Sequence, residues 1–201
     1  MYRVPWLLFW SALSVIAIDV PFAAAQATAT ASQRITPSLF AGMSGVYTGI
    51  GSGRNVSLTA GLDLAFLPGH RLRPALEYRG MIAVDKGRTA SLKNNLGGLK
   101  LGTSFRRLQP YVDLLAGRGE TTYANGGVQV PNTLIFYTHS SSNVYSLGGG
   151  ADLLAAHQFA LKLDFQMQRY SSPVTMTRHA YSEVGTLGIV YILHRGLKAR
   201  R

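Results

Sequence analysis

The chain has 201 residues, no cysteine and 20 Lys and Arg against 9 Asp and Glu, which gives a formal net charge of +11. The lack of cysteine excludes a disulfide framework and a lipid anchor on a cysteine thiol. Only 14% of the residues are charged, which is low for the surface of a soluble domain. After residue 25, no apolar run approaches the roughly 20 residues that a membrane-spanning helix needs.

Residues 1–25 have the features of a cleavable secretory signal. Arg3 supplies the basic start, residues 6–18 form an apolar run broken by two serines, and Ala23 and Ala25 frame an A-x-A cleavage site. This order of features is that of a signal peptide removed during export. We therefore expect the mature chain to begin near residue 26, outside the cytoplasm.

Apolar and polar residues alternate with little error in residues 56–66, VSLTAGLDLAF. A strand places successive side chains on opposite faces, so this pattern predicts a strand with one apolar and one polar face. Similar segments recur to the end of the chain. We predict eight strands, at residues 37–48, 56–66, 71–82, 95–105, 109–117, 144–154, 157–170 and 181–193.

The predicted connections alternate in length. The short ones are 67–70, 106–108 and 155–156, and the longer polar ones are 49–55, 83–94, 118–143 and 171–180. Short turns at one end and long loops at the other are typical of a membrane β-barrel, whose long loops are extracellular. The prediction is an all-β, eight-stranded antiparallel up-and-down transmembrane barrel at residues 37–194. A lead at 26–36 precedes it and a basic tail at 195–201 follows it.

The charge of the mature chain indicates what it contacts. Loss of Arg3 and Asp19 with the signal leaves the net charge at +11. Export makes nucleic acid an unsuitable partner, so we expect the basic surface to meet outer-membrane lipid and lipopolysaccharide. The long loops are the expected site of any extracellular ligand. In the longest loop, Asn125, Gly126 and Gly127 form a good turn sequence, and we predict a hairpin extending the fifth and sixth strands around it.

The last predicted strand carries the most specific motif. Thr186, Gly188, Tyr191 and Leu193 resemble the polar-x-Gly-x-x-aromatic-x-apolar signal by which the outer-membrane assembly machinery recognises small barrels. Pro110–Val112 and Gly148–Gly150 are also typical of these proteins. The mature chain thus resembles the small OmpA-like and opacity-porin-type outer-membrane barrels of Gram-negative-type envelopes. Members of this group usually end on an aromatic residue, whereas residues 194–201 here add a basic tail.

The resemblance implies an apolar outer surface and a polar interior, and the alternation agrees. Eight strands enclose a space that side chains fill, so no open channel is expected. Charges survive in such an interior only when they are paired. We predict a barrel-interior charge network of Asp63, Arg73, Glu77, Arg79, Lys100, Asp113, Asp152, Lys162 and Asp164.

Three other functions are compatible with parts of the sequence. His139, Ser141 and Asp152 could act as base, nucleophile and orienting acid, as in the eight-stranded outer-membrane lipid A deacylases. The glutamate and the Asn spacing of those enzymes are missing. A soluble exported barrel with a ligand cavity would have the apolar face inside. A narrow pore would use the interior charges.

The favoured function is a non-enzymatic outer-membrane protein acting in envelope structure, surface adhesion or shielding. No catalytic set, metal site or cofactor is expected, because the histidines lie singly and the glycine-rich stretch at 49–53 lacks the lysine and helix of a phosphate-binding loop.

Overall fold

The computed structural model describes residues 35–66, 71–85, 87, 89–124, 126–131 and 133–193. Within them lie ten strands: β1 Ile35–Tyr47, β2 Arg54–Phe66, β3 Leu72–Asp85, β4 Ala90–Thr103, β5 Leu108–Tyr123, β6 Val128–Gln129, β7 Phe136–Tyr137, β8 His139–Leu154, β9 Phe159–Ser171 and β10 His179–Ile192. The predicted signal peptide, most of the lead, the tail and the turn at 67–70 lie outside the described residues. No described helix is long and apolar enough to cross a membrane.

Eight long strands form one closed antiparallel barrel in the order β1-β10-β9-β8-β5-β4-β3-β2. Closure is made by β1 and β10, which pair from Ser38 opposite Ile192 to Tyr47 opposite Glu183. The remaining two strands, β6 and β7, pair only with each other. The eight-stranded transmembrane barrel predicted from the alternation is therefore confirmed.

The strand register determines the shape of the barrel. Following directly paired residues once around the wall from Tyr181 returns to β10 at Tyr191, a shift of ten residues. Ten residues at about 3.3 Å against eight strands at about 4.8 Å correspond to a tilt of about 41° and a radius of about 8 Å. Side chains can fill a cylinder of that size.

The two faces of the wall differ in chemistry. On β9 the buried residues alternate strictly with exposed ones. The exposed ones are Phe159, Leu161, Leu163, Phe165, Met167, Arg169 and Ser171, and the buried ones are Ala160, Lys162, Asp164, Gln166, Gln168 and Tyr170. Large apolar side chains are exposed around the whole barrel, with Leu99 at 65% and Leu147 at 64%. This inside-out arrangement fits a lipid solvent and excludes the soluble barrel with an apolar interior.

The exposed apolar side chains form a belt around the barrel, and the height of this belt matches that of an outer membrane. Tyr181 and Tyr191 both point outward on β10, and ten residues at a tilt of about 41° span about 25 Å along the barrel axis. Transmembrane barrels carry an apolar band of about this height between aromatic girdles. In the girdle at the periplasmic end, the ring centroid of Tyr191 lies 5.2 Å from that of Phe159. A closed barrel with this surface is an outer-membrane protein by architecture.

Three strands extend five or six residues further at the extracellular end than the sequence predicts. β4 begins at Ala90, β5 ends at Tyr123 and β8 begins at His139, whereas residues 95, 117 and 144 are the predicted limits. These extensions are rich in Ser, Thr, Gly and Asn, so the apolar contrast that marks a membrane strand is weak there. Their backbones nonetheless pair up to Thr122 opposite His139.

The extracellular hairpin exists, but its predicted turn is wrong. Gly126 and Gly127, both with positive φ, turn the chain only between β5 and β6, where the amide of Gly127 donates to the carbonyl of Ala124. The hairpin closes further on, because the amide of Val130 donates to the carbonyl of Ile135. We call residues 128–131 and 133–137 the external hairpin.

Candidate functional site

The interior is sealed at its extracellular end. Ile50 and Val174, from the loops after β1 and β9, are buried in one apolar cluster with Tyr123 and Tyr170. The Tyr170 hydroxyl donates to the carbonyl of Thr48, and the hydroxyls of Tyr123 and Ser172 lie 3.0 Å apart. Two loops are thereby fixed over the barrel mouth, so this end is a lid and not a pore entrance.

A layer of neutral polar groups lies below the lid. The Ser44 hydroxyl is 2.6 Å from that of Thr59 and 2.8 Å from that of Thr186. The Asn94 amide donates to Gln168 at 2.8 Å. These buried groups partner one another across β1, β2, β4, β9 and β10, as polar groups in an interior must.

Arg79 is the centre of the first half of a charged layer. Its guanidinium binds Glu77, donates to Asp164 Oδ2 at 2.7 Å and lies 3.7 Å from Asp113 Oδ2. The Tyr111 hydroxyl donates to Asp164 Oδ1 at 2.8 Å. Gln166 donates to Asp113 Oδ1 at 2.9 Å. One buried cation therefore serves three carboxylates from three other positions in the wall.

Lys100 is the centre of the second half. Its ammonium is 2.8 Å from Asp63 Oδ2, 3.6 Å from Asp152 Oδ2 and 3.7 Å from Glu77 Oε2. Glu77 thus links Lys100 to Arg79. Removing either cation would leave carboxylates without a counter-charge in a desolvated interior.

Lys162 is fully buried and is held differently. Its ammonium lies 3.8 Å from Asp152 Oδ1 and donates no hydrogen bond to any described residue. It sits instead over two aromatic rings, 4.5 Å from the centroid of Phe40 and 4.3 Å from that of Tyr111. Cation–π attraction of this kind is strongest where water is excluded.

The structure places all nine residues of the predicted charge network on the inner face, and eight of them are buried. Arg73 is the exception: it is half-buried at the periplasmic end and forms no ion pair with the described residues. Sequence reasoning omitted Phe40, Tyr111 and Gln166, which contact these charges. Strand parity could have revealed them, since they share the inward face with charged neighbours.

Below the charged layer the inward side chains are small, and a cavity opens toward the periplasm. Ala65, Ala75, Gly102 and Ala160 line its wall, and the cavity volume is about 610 Å³. Among the described residues the barrel interior is therefore asymmetric, being closed toward the outside and open from the periplasm down to Lys100.

His139 and Ser141 do not form with Asp152 the catalytic group of the alternative hydrolase function. Asp152 lies inside the barrel and thirteen residues further along β8, about 40 Å away along the strand. Glu120 on β5 takes the neighbouring place, with its carboxylate 3.8 Å from His139 Nδ1. This contact joins neighbouring strands and was not predicted. Among the described residues Ser141 has no hydrogen bond to His139, so the nucleophile–base contact of a triad is missing. These residues also form no cluster of metal ligands.

A basic ring surrounds the outer surface near the extracellular ends of the strands. Its members are Arg54, Lys93, Arg118 and Arg169, all exposed. Arg54 is paired with Tyr47 and Arg169 with both Tyr145 and Tyr181. Tyrosine and arginine together are suited to the boundary between lipid and water.

The four residues of the predicted assembly signal lie on or next to the closing strand. Thr186 points inward to Ser44 and Gly188 faces Gly42 on β1. Tyr191 points outward, and the amide of Leu193 donates to the carbonyl of Pro37. Recognition of this strand during assembly remains a prediction.

Replacement of Arg79 tests the energetic weight of the charged layer. Arg79→Met keeps an apolar stem but leaves three buried carboxylates without their shared cation, so we expect a loss of about 3–5 kcal/mol in the free energy of unfolding. Urea unfolding in detergent micelles, followed by the heat-dependent gel shift, measures it. Arg118→Met on the outer surface is the matched control. A change within about 0.5 kcal/mol for both variants would contradict this account.

No family model and no curated protein matches the sequence. Among solved structures, Neisserial surface protein A is similar with a TM-score of 0.50 and 13% identity, over 79% of this chain and 97% of that one. Ail, the attachment invasion locus protein of Yersinia pestis, has a TM-score of 0.46 and 11% identity, over 79% and 97%. The N-terminal β-barrel domain of Pseudomonas aeruginosa OprF has a TM-score of 0.38 and 16% identity, over 78% and 97%. The closed eight-stranded wall and the similarity to Neisserial surface protein A show that the chain has the fold of the small eight-stranded outer-membrane barrels.

Proposed function

We propose that this protein is a non-catalytic outer-membrane barrel that carries an adhesive hairpin at the cell surface and contributes to envelope structure. The observation that carries the proposal is the contrast between its two ends. The extracellular mouth is closed by Ile50 and Val174, while the external hairpin projects beyond it. A sealed barrel acts through its surface and not by passage through its interior.

The end of the external hairpin is apolar and exposed. Leu134 is 90% exposed, and Ile135 and Phe136 are 57% and 59% exposed. The hairpin is ordered by main-chain pairing of β6 with β7 and by the Gln129 side chain, which donates to the carbonyl of Thr133 at 2.6 Å. Contiguous exposed apolar groups on an ordered support are typical of protein–protein contact sites. The fitting partner is an apolar patch on a protein at another cell surface or in the extracellular matrix.

Replacing the apolar tip tests adhesion. We expect Leu134→Ser with Phe136→Ser to reduce retention of expressing cells on immobilised extracellular-matrix proteins at least ten-fold, because two anchoring apolar groups are removed. Met176→Ser is the matched control, since Met176 is 86% exposed in another extracellular loop. Equal retention of all three strains, at equal surface levels, would contradict the proposed role of the hairpin.

The basic ring is the proposed contact with lipopolysaccharide. Arg118 and Arg169 lie on β5 and β9 on either side of Asn143 and Tyr145 of β8, so both guanidinium groups can face one lipid headgroup. Guanidinium binds phosphate with two parallel hydrogen bonds. Recognition of β10 by the outer-membrane assembly machinery is the second proposed partnership.

Replacing Arg118 and Arg169 tests the proposed binding of lipopolysaccharide. We expect Arg118→Gln with Arg169→Gln to bind lipopolysaccharide at least ten-fold more weakly in detergent, because charge-assisted phosphate contacts are lost. Arg71→Gln, at the exposed periplasmic end, should bind as tightly as the unmodified protein. An equal loss of lipopolysaccharide affinity in the double variant and in Arg71→Gln, or no loss in either, would exclude a lipopolysaccharide site at the basic ring.

The absence of catalysis is proposed from the geometry at His139, Ser141 and Glu120. Cells expressing the protein and cells expressing Ser141→Ala should contain lipid A with identical acyl chains by mass spectrometry. Loss of one acyl chain only with the unmodified protein would overturn this proposal and identify the group as a hydrolase site.

A further inference from the structure

We propose that the periplasmic cavity binds a small zwitterion of the size of an amino acid or dipeptide. Its ammonium group would bind Asp63 and Asp152 at the cavity floor, and its carboxylate would bind Arg73 and Arg107 nearer the mouth. The site is open to the periplasm, so this activity is separate from adhesion on the opposite side of the membrane.

The cavity is a consequence of side-chain size at successive inward positions. The charged layer fills the barrel with Lys100 and Tyr111, and the next inward residues are Ala65, Ala75 and Gly102. The volume of about 610 Å³ falls in the range of small-molecule sites. Apolar atoms of Val190 and Ile192 line one side, so the cavity combines an apolar wall with polar and charged groups.

Each carboxylate at the floor has one oxygen that accepts no hydrogen bond from the described residues. Asp63 is 5% exposed, and its Oδ1 atom has no hydrogen-bond partner among the described residues. Asp152 is 9% exposed, and its Oδ1 atom is likewise without a hydrogen bond there. Lys100 engages the other oxygen of each carboxylate. A buried polar atom without a partner costs free energy, and rotation of either carboxylate toward an ammonium group in the cavity would supply the missing donor.

The charge balance favours a cation at this floor. Within the charged layer of the described barrel, Asp63, Glu77, Asp113, Asp152 and Asp164 face three cations, Arg79, Lys100 and Lys162. Two of the five carboxylates, Asp63 and Asp152, line the cavity, and the other three do not. Of the three cations, Lys100 also lines the cavity, so the part of the charged layer that a ligand can reach carries two carboxylates and one cation.

The mouth carries the opposite charge. Arg73 and Arg107 both line the cavity, and Arg73 Nε is buried without a hydrogen-bond partner among the described residues. Arg73 lies four residues along β3 from Glu77, which is paired with Asp63. The Cα atoms of Arg73 and Glu77 are therefore about 13 Å apart. The two positive groups and the two carboxylates therefore lie at different depths of the cavity, an arrangement that fits a short molecule with opposite charges at its two ends. A simple anion would meet repulsion at the floor, and a simple cation would meet it at the mouth.

Binding of glycylglycine to the purified full-length protein in micelles is the direct test. We expect saturable NMR shift changes of amides near Lys100 and Asp152 below about 50 mM ligand. N-acetylglycine lacks the ammonium and glycinamide lacks the carboxylate, so each should bind at least ten-fold more weakly. Absence of saturable binding, or equal binding of N-acetylglycine, overturns the proposal.

Variants then assign the two ends. Arg73→Gln, at the solvent-accessible mouth, and Asp63→Asn should each weaken glycylglycine binding at least ten-fold. Asp113→Asn is the matched control, because Asp113 is a buried carboxylate of the same layer that does not line the cavity, and it should bind as the unmodified protein does. The gel shift on heating reports folding, and Arg73→Gln decides the outcome should Asp63→Asn not fold. Retained binding in Arg73→Gln overturns the assignment of the mouth.

Discussion

A lipid bilayer offers no hydrogen bonds to a protein backbone, and the pairing of β1 with β10 is how this chain satisfies that constraint. Ten residue pairs between β1 and β10 close the wall, so the barrel has no open strand edge. Closure with a ten-residue shift also sets the radius, and the radius limits the interior to side chains alone. The polar interior, the apolar belt and the position of every site follow from this closure.

Because the solvent outside is lipid, the usual placement of polar and apolar residues is inverted. Charged groups that would cover a soluble protein are gathered around Arg79 and Lys100, where each carboxylate has a cation or an amide nearby. Such a layer contributes little net stability relative to an apolar core of equal volume. What it does contribute is a defined arrangement across the barrel, since Arg79 of β3 and Asp164 of β9 meet only at the observed register.

Parity in the sequence was sufficient to assign faces, because one alternation identifies both the lipid side and the interior side of each strand. The alternation does not identify the partner of each buried charge. Arg79 and Asp164 are 85 residues apart in sequence, and their meeting depends on the shift that accumulates around the whole wall. For the same reason Glu120 beside His139 was missed, since the contact joins strands whose extracellular extensions carry no apolar signal. The hairpin was expected at the wrong turn because Gly126 and Gly127 favour a reversal locally, whereas the cross-strand pairing of β6 with β7 decides where it closes.

The asymmetry of the interior bears on both proposals. Large inward residues near the extracellular end, such as Leu96, Leu115 and Tyr170, pack under the lid, whereas alanine and glycine follow the charged layer on the periplasmic side. A barrel serving only as an anchor would gain stability from filling that end too, since apolar packing is favourable per unit of buried area. Here the chain instead leaves a cavity beside two buried carboxylates, each with one oxygen that accepts no hydrogen bond from the described residues. That combination costs stability, and groups held at such a cost are characteristic of binding sites.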